Sequence, residues 1–150
     1  MLFERGFSEF VNLSGGAQGF LVLGPIPDGR VVRRMWFDWT CDGAMVLDVF
    51  ASLGRSQSGT VGAVNAGVPI PTRSNNTRAT FNYGGIRFVA GASGSGHTVV
   101  PVGVAVQGAP MWVVLFFVSL SASQMCLTIG VDVVGKRSAE PVVPARADVA

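Results

Sequence analysis

Apolar and polar residues alternate with a period of two in the clearest stretches of this chain. From Arg30 to Thr40, Met35, Phe37 and Trp39 fall on one side and Arg34, Asp38 and Thr40 on the other. That is the pattern of a half-buried strand. Trp36 shares the polar side, as a rim or interface residue. Cys41-Asp42-Gly43 reads as a turn. Ala44 to Leu53 then returns with Met45, Leu47, Val49, Ala51 and Leu53 on one face, which predicts a hairpin. A second hairpin is predicted later. Met111 to Leu120 is apolar on both faces, Ser121 to Gln124 closes the turn, and Met125, Leu127, Ile129, Val131 and Val133 line the return strand. A strand apolar on both sides must be central, or covered on its outer side by another subunit.

Between these pairs the pattern predicts shorter strands at 17–23, 78–83, 86–90 and 98–106, with Pro101 marking an edge or a bulge. Gly24-Pro25-Ile26-Pro27-Asp28-Gly29 reads as a turn, and 90–96 as a Gly/Ser loop. Residues 54–77 hold Gly, Ser, Asn, Thr and Pro with little periodicity, a long surface loop of the kind that often carries function. Residues 1–16 form an N-terminal arm. Phe3, Phe7 and Phe10 stand at i, i+4 and i+7, so one or two helical turns are an option, and three Phe need a groove on this body or a neighbour. From residue 135 to 150 two prolines and no core-forming period indicate an extended C-terminal tail. Punctuated strands with no internal linker predict an all-β protein with a single antiparallel β-sandwich domain over 17–134.

Composition sharpens this picture. The chain has 150 residues, 49% apolar and only 13% charged, with 20 Gly. Charged residues usually make up about a quarter of a soluble domain. A disordered, charge-rich chain and a long-helix protein are both excluded. The net charge of +2 is too small and dispersed for a nucleic-acid footprint. Ten of the eleven basic residues are Arg, Lys136 being the exception, which leans toward contact surfaces. The N-terminus, Met1-Leu2-Phe3-Glu4-Arg5, does not look like a secretory signal. Cys41 and Cys126 are therefore expected as free thiols. No charged side chain occurs between Arg87 and Asp132, and 102–120 is the best membrane-span window. Gly108-Ala109-Pro110 interrupts it, and the unbroken run of Met111 to Val118 has the length of a strand rather than a bilayer crossing.

Catalytic material is scarce. His97, the only histidine, could serve as a base, but the sequence names no acid to orient it and no Gly-x-Ser-x-Gly elbow. One His and two distant Cys lack metal-ligand spacing, so no metal or cofactor is expected. Asp38 and Asp48 lie on the two arms of the first predicted hairpin, where solvated strand charges are commoner than a glycosidase pair. Gly91 to Gly96 lacks the Lys-Ser/Thr and helix of a phosphate loop. Arg33 and Arg34 should face opposite sides of their strand, and Arg34 should pack on Trp36 by cation–π contact.

The segment Pro25-Ile26-Pro27-Asp28-Gly29-Arg30-Val31-Val32-Arg33-Arg34-Met35-Trp36-Phe37-Asp38-Trp39 resembles a pattern in small jelly-roll-like β-sandwich virion proteins of bacteriophages. There a Pro-x-Gly turn enters a long strand that starts the sandwich. The next hairpin and the late apolar hairpin, Met111 to Val134, are similar too. The resemblance spans 17–134 and carries no diagnostic residue. It implies a non-enzymatic virion structural protein, in capsid, decoration layer or tail, whose partners are copies of itself and other virion proteins. Phe3, Phe7, Phe10, Trp36 and Trp112 are the expected interface residues. Two alternatives remain. One is a carbohydrate- or receptor-binding module using loop 54–77 with Trp36 or Tyr83; the other is a membrane-associated virion protein anchored through 102–120.

Overall fold

The computed structural model describes residues 3–13, 16–70 and 85–135. The predicted strand at 78–83, Tyr83 and most of the tail lie outside the described residues. The elements are β1 (Phe3–Leu13), β2 (Gln18–Ile26), β3 (Arg30–Cys41), β4 (Met45–Gly54), α1 (Val61–Ala66), β5 (Val68–Pro69), β6 (Ile86–Ala90), β7 (Gly94–Ala105), β8 (Met111–Ser119) and β9 (Met125–Gly135). Two antiparallel sheets pack face to face as a β-sandwich. The first runs β1-β9-β3-β7; the second runs β2-β8-β4, with β6 and β5 one after the other along the far edge of β4.

The pairing follows one rule. Apart from the short β5, the first strand pairs with the last, β2 with β8, β3 with β7 and β4 with β6. The chain is thus one long antiparallel ribbon, rolled so that β3 also meets β9 and β4 also meets β8. This is jelly-roll connectivity. It corrects both predicted hairpins. β3 and β4 lie in different sheets, as do β8 and β9. The turns after Cys41 and Ser119 cross the sandwich side by side at one end, tied by Asp42 and Gln124, whose backbone N–H donates to the Asp42 carboxylate at 2.9 Å. Alternation had shown where each strand turns its apolar face, and both faces point into the same core.

Inside that core, Val32, Met35 and Phe37 of β3 and Leu127, Ile129 and Val131 of β9 meet Leu47, Val49, Leu53, Val113 and Leu115 of the opposing sheet. Residues 3–13, for which helical turns were an option, instead form the edge strand β1 against β9. β7 begins at Gly94, four residues before the predicted strand, because Gly94 to Gly96 pair with Trp39 to Cys41. Gly96 is required there: a Cβ at this position would stand 2.4 Å from Cζ2 of Trp39.

The outer side of β8 is covered by the chain itself. Within the stretch read as loop 54–77, α1 lays Ala63 and Val64 over Val114, Phe116 and Val118, with Phe50 and Phe20 alongside. The Phe20 and Phe116 rings are 5.0 Å apart and tilted by 50°. No second subunit is needed over this part of the sheet. Six residues are too short to show helical periodicity, and the remaining signal was the cap. The Thr60 hydroxyl accepts a hydrogen bond from the backbone N–H of Ala63 at 3.1 Å. Thr60→Ala is expected to lower stability by about 1 kcal/mol; urea denaturation would measure it, and an unchanged midpoint would show that packing alone holds α1.

The membrane-span window 102–120 is divided between β7 and β8 in opposite sheets, and among the described residues no helix is long and apolar enough to cross a membrane.

Candidate functional site

With part of the second sheet roofed by α1, the outer face of the first sheet is the broader open surface among the described residues. Its registers define a grid. One row runs Val99–Trp36–Gly130–Ser8 across β7, β3, β9 and β1. The next, two residues along, runs His97–Asp38–Thr128–Phe10, and beyond it lies Ser95–Thr40–Cys126–Asn12. On the other side of the tryptophan row stand Pro101, Arg34 and Asp132. Two shallow depressions of about 550 and about 290 Å³ lie on this face and share Asp38 and His97 in their walls.

Glycine shapes the floor. A Cβ at position 130 would stand 2.2 Å from Cζ2 of Trp36 and 2.9 Å from Nε1. The indole therefore crosses from β3 onto β9 over a backbone that carries no side chain, a cross-strand arrangement only glycine permits. On either side of the indole the charges are paired. Arg34 Nε donates to Asp132, and His97 Nδ1 bonds Asp38. His97 and Asp38 are both more than half exposed, 57% and 54%, so their pair adds little stability. Its consequence is local: the imidazole is oriented, and Nε2 is left as the ring's remaining polar atom.

Several sequence expectations change here. The acid that orients His97 is Asp38, opposite it on the neighbouring strand, a partner that sequence separation concealed. No hydroxyl or thiol among the described residues hydrogen-bonds His97. Arg34 is engaged by Asp132, and the expected cation–π contact with Trp36 is not formed among the described residues. Arg33 and Arg34 are both exposed, because a register shift between Val32 and Arg34 breaks the alternation. Asp38 and Asp48 occupy the outer faces of opposite sheets and cannot flank one bond. Gly91 to Gly96 leads into a strand rather than a helix. Cys41 and Cys126 are free; Cys126 pairs with Thr40, so the two thiols project to opposite sides of neighbouring strands. Among the described residues, no group of three or more His, Cys, Asp or Glu could hold a metal ion.

Of the five expected interface residues, Trp36 and Phe10 lie on this open face, Phe10 being 63% exposed. Trp112 is half-buried at the start of β8, beside Gly24. The backbones of Phe3 and Phe7 pair with Val134 and Val131, and their side chains lie outside the described residues. Sequence reasoning missed a second exposed feature. On the outer side of the second sheet, beyond α1, Val89 pairs with Val46, and the Leu120 backbone N–H donates to the Val46 carbonyl at 2.8 Å. Leu120 and Val89 are 52% and 63% exposed. The signal was available in Ile86-Arg87-Phe88-Val89-Ala90, where Val89 falls on the side opposite the buried Ile86 and Phe88.

The fold and surface together define a jelly-roll β-sandwich with one open polar–aromatic face and one apolar row on the other side. No known family model and no curated protein matches the chain.

Proposed function

We propose that this chain is a non-enzymatic structural subunit of a virion that acts through protein–protein contacts with copies of itself and with other virion proteins. Jelly rolls serve both as shell subunits and as lectin domains, so connectivity alone does not choose between them. The observation that carries the assembly reading is the row Leu120–Val46–Val89, which runs from just past the end of β8 across β4 and β6 with no covering element among the described residues. Arg87 lies two residues further along β6, giving the row a charged neighbour. An apolar centre with a polar rim is the anatomy of a specific contact. The low charge of the whole chain points the same way, since a contact of this kind removes apolar surface from water.

Size-exclusion chromatography with light scattering tests the proposal. At micromolar concentration the full chain should elute as a defined oligomer, and Val89→Asp should shift it to monomer without changing its sheet dichroism. A monomer at all concentrations would overturn self-assembly through this row, as would an oligomer indifferent to Val89→Asp.

A further inference from the structure

We infer that the outer face of the β1-β9-β3-β7 sheet is a binding site for neutral oligosaccharides, with Trp36 as its stacking platform. This inference does not depend on the assembly reading, which concerns the opposite side of the sandwich.

The site combines the two kinds of group that sugar recognition needs. A pyranose offers a patch of C–H bonds on one face and hydroxyls around its rim. Trp36 supplies the apolar surface for the first: it lies over Gly130 and lines the groove together with Asp38, His97 and Asp132. Hydroxyls need acceptors and donors at the edge of that surface. Asp38 stands two residues along the same strand, about 7 Å away, and Asp132 pairs with Arg34 on the other flank. Each carboxylate is held by one cationic or imidazole partner and retains lone pairs for a second donor. Thr40 and Thr128 add hydroxyls that donate and accept.

Charge decides the class of sugar. Asp132 is paired with Arg34 and Asp38 has only the His97 imidazole beside it, so the groove's lining holds no excess cation to neutralise a carboxylate or sulfate. A neutral sugar meets no such penalty. Extent decides its length. Phe10, exposed at the far end of the neighbouring row, is separated from Trp36 by the width of β9. In a sheet that places the two positions about 10 Å apart across the strands and about 7 Å along them. Two aromatic positions at that spacing, with Thr128 and Asp38 between, suit a short chain of sugars rather than a single ring.

The test uses the full chain on an array carrying neutral and acidic oligosaccharides, followed by calorimetric titration with the tightest neutral ligand. Binding to at least one neutral oligosaccharide is expected. Trp36→Ala should weaken it by tenfold or more, and Val89→Asp, on the other sheet, should leave it unchanged. Thr128→Arg, which places a long side chain in the adjoining depression that shares Asp38 and His97 with the Trp36 groove, provides an independent block should Trp36→Ala fail to fold. The inference is overturned if no neutral oligosaccharide binds, if only acidic glycans bind, or if a folded Trp36→Ala or Thr128→Arg protein binds as well as the parent.

Discussion

Replacing Phe37 by alanine should cost about 3–5 kcal/mol of unfolding free energy. Phe37 has no exposed surface. It projects inward from β3 and meets Phe88 of β6, the ring centroids lying 5.0 Å apart at 54°. Those two strands belong to opposite sheets, so the contact bridges the sandwich across its full thickness. Truncation removes the ring's transfer free energy and leaves a void that two hydrogen-bonded sheets cannot close. For a domain stabilised by about 5–15 kcal/mol the loss is a large share of the total. Chemical denaturation should show a lower midpoint at an unchanged slope, with Phe37→Leu recovering much of the deficit. A loss below about 1 kcal/mol would mean that the core collapses around the gap, and that this ring does not set the sheet separation.

Arg87→Ala should be comparably damaging, at about 3 kcal/mol, through a different mechanism. Asp48 projects from the outer side of β4 with 1% of its surface exposed, between Val118 of β8 and Arg87 of β6. Arg87 holds it with two bonds, Nε to Oδ1 at 2.8 Å and Nη2 to Oδ2 at 3.0 Å. Removing the guanidinium strands a carboxylate in the sheet. The Arg87 side chain is 42% exposed, so water reaches the gap and the effect falls at the low end of the range for buried pairs. The double variant Asp48→Val with Arg87→Val should recover most of the loss, because it removes both partners together. The Asp48 hydrogen bond, with its charge, raises the guanidinium's pKa against the opposing effect of burial. A raised basic group contributes fully below its unfolded-state pKa and loses that contribution only as pH climbs through the folded one. For arginine this window lies beyond ordinary alkaline conditions, so the deficit of Arg87→Ala relative to the parent should be the same at neutral pH and in mild base. A deficit that shrinks between those conditions would show that the pair is not held as described.

Both effects rest on pairings that alternation alone could not reveal. The inward faces of β3, β4 and β9 were legible because burial imposes a period of two, and Met35, Phe37, Leu47, Val49, Leu127 and Ile129 all lie where that period places them; β8, apolar on both faces, gave no such sign. The partner of each strand was not legible. A short turn between two amphipathic strands serves equally well to pair them or to carry the chain across to the opposing sheet. At Cys41-Asp42-Gly43 and at Ser121 to Gln124 it does the second. The groove shared this difficulty. Trp36 was visible as an aromatic residue on a polar side, but the reason it lies where it does is Gly130, far away in sequence and opposite it in register. His97 and Asp38 were each visible, and only the β3–β7 pairing joins them.

The sequence by itself determined a charge-poor, all-β sandwich and most of the residues that fill its core, because apolar periodicity is a local record of which face of a strand avoids water. The tertiary structure alone decided the rolled-ribbon order of the strands, the covering of β8 by α1 and the grouping of side chains on each outer face. Those depend on contacts between distant segments, where the free energy comes from matching two surfaces and neither segment carries the match alone.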